Sequence, residues 1–347
     1  MKLKLVSLII VSLFFSSFYQ LDQAKPTILE ELMDVKEMTL NLPLDSIIAL
    51  KNSAQTFSAQ LTYKTKEKVK RKWNIELKTR GKYRKRVCAV PPLSIRFAKK
   101  DLKSEGFKKK RKIKLVTPCL SNWESDEYIL KEYLAYKLYE LISDKHLRTQ
   151  IVRINYKNTI NNKSMKRYGI LIEDEEEMAD RLDANLCEDC FNYDKNKFDQ
   201  QAIRNIDLFQ FMIGNTDYSL HMLRNMKLLI ATDSSTAFAV PYDFDFCGLV
   251  NAPYALPNPN YNLKNCRERR FLGNSKEDDP LKIAKAIFKG RKRDILTYVA
   301  EFSQLSRESR IDILDYLNSF FECIEKGELL NYTPEYIRLR ALEEDKG

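Results

Sequence analysis

The chain has 347 residues, 44% of them hydrophobic and 31% charged, a balance that suits a folded protein and excludes a disordered one. With 9 Gly and 11 Pro it is neither collagen-like nor low in complexity, and its single long apolar run excludes a polytopic membrane protein. The net charge of +11 is unevenly spread: Lys64 to Lys114 holds 22 Lys/Arg against 4 Asp/Glu, whereas Glu173 to Asp194 holds 10 acids and only Arg181. Such polarity bears on partners and steering rather than on fold.

The first residues read as an export signal. Lys2 and Lys4 precede the apolar stretch Leu5 to Phe15, shorter than the ~20 apolar residues of a spanning helix, with a single N-terminal membrane anchor as the minor alternative to a cleaved signal. Residues 1–24 are therefore expected to be a signal peptide, with a mature start near Lys25-Pro26. The expected protein is exported, periplasmic or secreted, with no membrane span in the mature chain.

Alternating Phe57, Ala59, Leu61 and Tyr63, then Trp73, Ile75 and Leu77, predict strands over 56–63 and 73–78 around a charged tip at 64–72. Residues 93–97 and 113–116 predict two more. Tyr128, Leu130, Tyr133, Leu134, Leu138, Leu141 and Ile142 recur at helical spacing behind Ser125-Asp126-Glu127, the start of a long helix. A strand pair at 151–156 and 168–172 flanks the polar turn 158–166. From about residue 174 the pattern changes. A strongly apolar helix at 202–213 stops at Gly214-Asn215, strands follow at 226–231 and 237–242, and 279–342 predicts two or three amphipathic helices broken near Ser306 and Gly327.

Seven cysteines leave at least one thiol unpaired. Cys187 and Cys190 have C-x-x-C spacing without a second such pair, and His146 and His221 are the only histidines, which excludes a His-rich metal centre. One structural disulfide is expected in preference to zinc, with Cys88 and Cys119 the candidate pair.

Chemistry-bearing residues gather at two junctions. Gly214 to Asn225 is a loop between the apolar helix and a strand, and Pro241-Tyr-Asp-Phe-Asp-Phe246 ends the following hairpin. Asp217, Asn225, Asp243 and Asp245 are thus expected to converge on one hairpin edge. Carboxylates with an amide oxygen are hard ligands, suited to Mg²⁺ or Mn²⁺ holding phosphates, and a carboxylate off the metal can orient or deprotonate a hydroxyl. Gly-x-Ser-x-Gly, a P-loop and a dinucleotide fingerprint are absent. Asp217 with Asp243 also suits glycoside hydrolysis, but Trp73 and Trp123 alone make no tryptophan-lined sugar cleft.

Asn215-Thr-Asp217 followed by Val240-Pro-Tyr-Asp-Phe-Asp245 resembles the CotH-type atypical protein kinases and, more distantly, the HipA-type kinases. The pattern is most similar to that of exported bacterial proteins carrying the same two segments. Arg80-Gly-Lys-Tyr-Arg84 with Pro91-Pro-Leu93 resembles the Arg-Gly phosphate-side loop of the CotH type, so the likeness spans roughly Ile75 to Asp245. It implies an α+β, two-lobed kinase-like fold: a strand-rich antiparallel N-lobe with one long helix over 25–173, and a mainly helical C-lobe over 174–347.

The resemblance also implies roles. Asp217 would be catalytic, Asn225 and Asp243 metal ligands, and Asp245 the ligand of a second ion. Lys114, one choice beside Lys108, Lys109, Lys110, Lys112 and Arg96, would form with Glu132 the ion pair that orients the nucleotide phosphates, with Arg80 and Lys82 covering them and Glu173 or Asp174 near the sugar. Two departures stand out: Asp217 and Asn225 are eight residues apart where eukaryotic protein kinases have five, and Gly81 stands alone where those kinases have a glycine-rich loop. The implied activity is metal-dependent transfer of a phosphoryl group from ATP or another nucleotide to a hydroxyl of a protein or small molecule, without specific nucleic-acid binding. The alternative is a non-catalytic scaffold that binds an anionic polymer or surface through the basic segment.

Overall fold

The computed structural model describes residues 25–120, 124–234, 236–274 and 276–338. The expected signal segment, Trp123 and the end of the tail lie outside the described residues. Seven strands close a barrel: β1 (Glu37–Leu42), β2 (Thr56–Lys64), β3 (Lys70–Thr79), β4 (Leu93–Phe97), β5 (Lys112–Val116), β6 (Thr149–Asn158) and β7 (Ser164–Ile172). Their order around the barrel is β1-β2-β3-β4-β5-β7-β6. Strands that alternate in direction cannot do so all the way round an odd number, and one seam, β1 against β6, is parallel. The alternating residues share one interior: Leu61 lies opposite Leu40 and Trp73, Leu77 opposite Ile95, and Leu93 opposite Leu115.

This closure overturns the expected two-lobed kinase-like fold. The sheet is a sealed barrel with a parallel seam, not an open antiparallel N-lobe sheet. The strand responsible is β1, where Met38, Leu40 and Leu42 are buried at period two and the backbone pairs on both sides, leaving no free edge.

Four short helices, α1 (Ile28–Leu32), α2 (Leu44–Ala49), α3 (Tyr83–Val87) and α4 (Lys99–Ser104), punctuate the barrel strands. The long α5 (Glu124–Glu140) connects β5 to β6, and β7 then enters between those two strands. Its buried Leu130, Tyr133, Leu134 and Leu138 join a second, larger core. That core also contains α7 (Gln200–Ile213), α8 (Asp279–Glu301) and α9 (Arg307–Lys326), which follow α6 (Glu175–Arg181). A small antiparallel sheet, ordered β10-β9-β8, completes the fold, with β8 at Ala184–Cys187, β9 at Met226–Ala231 and β10 at Ala237–Pro241.

Part of the basic block is neutralised by the acidic one. Lys110, Lys112 and Lys114 pair with Asp180, Glu176 and Glu175, so a row of ion pairs lays α6 along β5. The outer two pairs are open to water and are weakened by salt; the Lys114 pair is enclosed. Two disulfides are present where one was expected. Cys88 is joined to Cys119 and Cys187 to Cys190, while Cys247, Cys266 and Cys323 are buried free thiols. Among the described residues no helix is long and apolar enough to cross a membrane.

Candidate functional site

The site begins where α7 stops. Gly214 has φ +66° and caps the helix by donating its amide to the Gln210 and Phe211 carbonyls. A Cβ there would collide with the Tyr316 hydroxyl, so glycine is required by both conformation and space. Asn215, buried, accepts from the Asp217 amide at 2.9 Å and donates to Gln210 Oε1 at 2.9 Å, turning the chain out of the core. The loop then folds on itself. Ser219 and Arg224 exchange backbone hydrogen bonds of 3.0 and 2.9 Å, and Asn225 Nδ2 donates to the Asp217 carbonyl at 2.7 Å and to Asp217 Oδ2 at 3.0 Å. The long separation of Asp217 from Asn225 is thereby absorbed in a miniature hairpin whose ends meet.

The β9–β10 pairing finishes at Met226 opposite Pro241, and the Tyr242 amide extends it by donating to the Asn225 carbonyl at 3.1 Å. Asp243 follows directly. Both Asn225 (φ +53°) and Asp243 (φ +61°) occupy the left-handed region, a conformation side chains adopt at some cost. The Asp243 amide donates to the Tyr136 hydroxyl on α5 at 2.9 Å. Its half-buried carboxylate has no hydrogen-bond or ion-pair partner among the described residues. Asp217 carries Arg224 at 3.4 Å. Burial raises the Asp217 carboxyl, opposed by Arg224 and reinforced by Asp243.

Behind this edge lies Arg84, from α3, only 7% exposed. Its Nε donates to Asp245 Oδ2 at 2.8 Å and its Nη2 to Glu132 Oε2 at 2.6 Å. Burial pushes the Asp245 carboxyl up to about 8 against the pull of Arg84, with Asp243 and Glu132 adding to the rise. Burial raises Glu132 as well, and its Oε1 is enclosed without a hydrogen-bond partner. Asp245 is thus occupied by a guanidinium and is not an open ligand for a second ion. Glu132 takes Arg84 as its cation, not Lys114, which corrects the expected pair.

Lys114 faces α6 instead because the neighbouring Ile113 and Leu115 point into the barrel. Its Nζ meets Glu175 Oε1 at 2.5 Å, and Lys227 meets the same oxygen at 3.0 Å. The Tyr242 ring lies beneath both ammonium groups, 5.9 Å from Lys114 and 5.4 Å from Lys227. Burial lowers Lys114 to about 8 despite Glu175. Burial alone would raise Glu175, but the two lysines outweigh it and bring the carboxyl to about 2.

The remaining expected residues divide. Arg80, half-buried at the end of β3, acts electrostatically on Glu132, Tyr136 and Tyr242 and belongs to the site. Lys82 is exposed. Glu173 is fully buried and both its oxygens are held by Arg148 and Arg181, so it is a structural anchor and not a sugar-binding group. Arg84, Glu175 and Lys227 were missed. Arg84 lay within the Arg80–Arg84 segment, but nothing in its local pattern distinguished it from the neighbouring cations. The chain matches no protein-family model and no curated protein.

Two outcomes follow from these networks. Arg84→Met leaves two carboxylates buried without their cation and should cost about 3–5 kcal/mol in urea unfolding, with part recovered when Asp245→Asn is added. Equal stability of the single variant and wild type would contradict the geometry. Glu175, depressed in the fold, stabilises fully above its ordinary value of 4.5 and loses that contribution as pH falls toward 2. The urea-midpoint gap between wild type and Glu175→Gln should therefore narrow as pH drops through this window.

Proposed function

We propose that the protein is a metal-dependent phosphotransferase that moves the γ-phosphoryl group of ATP to a hydroxyl at the edge formed by Asp217, Asn225 and Asp243. One observation carries this reading. The Arg80 guanidinium and the Asp243 carboxylate act on the same neighbours, Glu132, Tyr136 and Tyr242, yet neither has an ion-pair partner among the described residues. Opposite charges that share neighbours without joining suit a ligand that satisfies both: a cation against the carboxylate and a phosphate against the guanidinium.

The donor set fits a hard divalent ion. Asp243 offers an unengaged carboxylate, and Asn225, whose Nδ2 is committed to Asp217, offers its amide oxygen. Among the described residues no three His, Cys, Asp or Glu side chains form a metal-binding group. A carboxylate and an amide oxygen suit Mg²⁺ or Mn²⁺, which complete their shells with water and phosphate oxygens. When bound, the ion would neutralise the phosphates and hold them in place.

The rest is the work of the chain's own side chains. Arg80 binds phosphate oxygen, and Arg84 keeps Asp245 and Glu132 from repelling the nucleotide. Asp217 orients the acceptor hydroxyl and takes its proton as the new O–P bond forms, the β–γ bridging P–O bond breaks and ADP leaves. The resemblance of the Asn215–Asp217 and Val240–Asp245 segments to CotH-type kinases supports this chemistry without extending to the fold. The two disulfides support an oxidising, exported setting. The polymer-scaffold reading is less favoured, because Lys110, Lys112 and Lys114 are already paired within the chain.

Thermal unfolding with Mg²⁺ or Mn²⁺ and a nucleotide panel tests this. ATP with metal should raise the midpoint by several degrees, Asp243→Ala should abolish the shift, and Arg80→Ala should weaken ATP by about tenfold. Asp217→Ala should bind normally and lose transfer by at least about a hundredfold. Absence of a metal-dependent shift with every nucleotide would overturn the proposal.

A further inference from the structure

The loop that carries Asp217 is also one wall of a cavity of about 530 Å³, to which Ser219, Leu220, His221 and Arg224 contribute. The volume lies in the range of small-molecule sites. Asp207 of α7 lines another wall. It has no part in the site above, yet it is buried, and the Tyr218 hydroxyl donates to its Oδ1 at 3.3 Å. Gly273 packs so closely that a Cβ there would run into the Asp207 carboxyl group. Burial outweighs Arg204 and Tyr218 and brings the Asp207 carboxyl up to about 7.

The remaining surface is rich in aromatic rings. Tyr193 and Phe198 meet edge-to-face at 5.5 Å, and Tyr261 and Tyr336 line the cavity with them. Asn196 and Asn274 add amides. The wall's two arginines already face carboxylates: Arg204 meets Asp278 at 2.5 Å and Arg224 meets Asp217. An anionic ligand would therefore find both guanidinium groups engaged, with the exposed Lys195 the one cation of the lining that no ion pair holds among the described residues. Flat rings for C–H faces, with amides, phenols and a carboxyl for hydroxyl groups, suit a neutral polyhydroxylated ring.

We propose that this cavity binds a neutral saccharide, the hydroxyl acceptor of the transfer. The acceptor role rests on the function proposed above; the binding does not. Arg224, shared between the cavity wall and Asp217, links the two, so a bound sugar would lie beside the carboxylate that takes its proton.

The experiment is saturation-transfer NMR on the full chain with neutral hexoses, N-acetylhexosamines and their disaccharides, without nucleotide or metal. Wild type should bind at least one saccharide class saturably at millimolar concentration, and Asp243→Ala should bind it equally well. Tyr261→Ala and, separately, the half-exposed Tyr336→Ala should weaken it by about tenfold while retaining wild-type circular dichroism. The proposal is overturned if no saccharide saturates, if neither tyrosine variant changes affinity, or if a tyrosine-containing peptide binds in place of sugar. Saccharide binding that persists without phosphorylation under ATP and metal would uphold the pocket and overturn the acceptor role, whereas the phosphotransferase function stands or falls on the metal-dependent nucleotide shift.

Discussion

Arg84, Glu132 and Asp245 are far apart in the chain and meet in a buried cluster, a guanidinium between two carboxylates. Removing such charges from water costs several kcal/mol each, so the cluster persists only because the partners bond directly. It joins α3, which follows the third barrel strand, to α5 and to the turn after β10. The charges within it do not balance. One guanidinium faces two carboxylates, a third carboxylate, Asp243, stands beside them, and Glu132 Oε1 is buried without a donor. Burial accordingly shifts Glu132 and Asp245 toward their protonated forms.

That imbalance gives the hairpin edge its character. Asp245 and Glu132 are committed inward to Arg84, while Asp243, two residues before Asp245, keeps its carboxylate unengaged. Its left-handed backbone is held by the hydrogen bond its amide donates to the Tyr136 hydroxyl and by the Tyr242–Asn225 closure of the hairpin. The same closure brings Asn225 and Asp217 to the edge. Strain of this kind persists only where the surroundings over-determine it, and here a helix, a hairpin and a glycine-capped loop all do so. Lys114, Glu175 and Lys227 form a second group beside Tyr242 with a net charge of about +1 at neutral pH, and Arg80 acts on the edge as a further cation without an ion-pair partner among the described residues.

Features set by local pattern were legible in the sequence. The strands of β2 and β3 follow from period two, α5 and α7 from helical spacing, and the placing of Asn225 and Asp243 at adjoining ends of one hairpin from the short turn between its strands. Barrel closure was not legible in that way. Met38, Leu40 and Leu42 do alternate, but β1 has six residues and its parallel partner β6 begins more than a hundred residues later, so the seam has no local signature. Motif order suggested a kinase-like frame, and motif order does not determine how a sheet closes. Ion-pair choice failed for a related reason. Whether Glu132 meets Lys114 or Arg84 depends on which face α5 turns toward α3, a property of packing. Glu173 likewise looked available until Arg148 and Arg181 were placed around it.

The most direct test is an electron paramagnetic resonance titration with Mn²⁺, which counts bound ions without requiring nucleotide or acceptor. One saturable site should appear in the wild type, vanish in Asp243→Ala and persist in Asp245→Asn, because Asp243 is unengaged whereas Asp245 is held by Arg84. A folded wild-type protein that binds no Mn²⁺, or binds it equally well without the Asp243 carboxylate, would contradict a cation site at this edge.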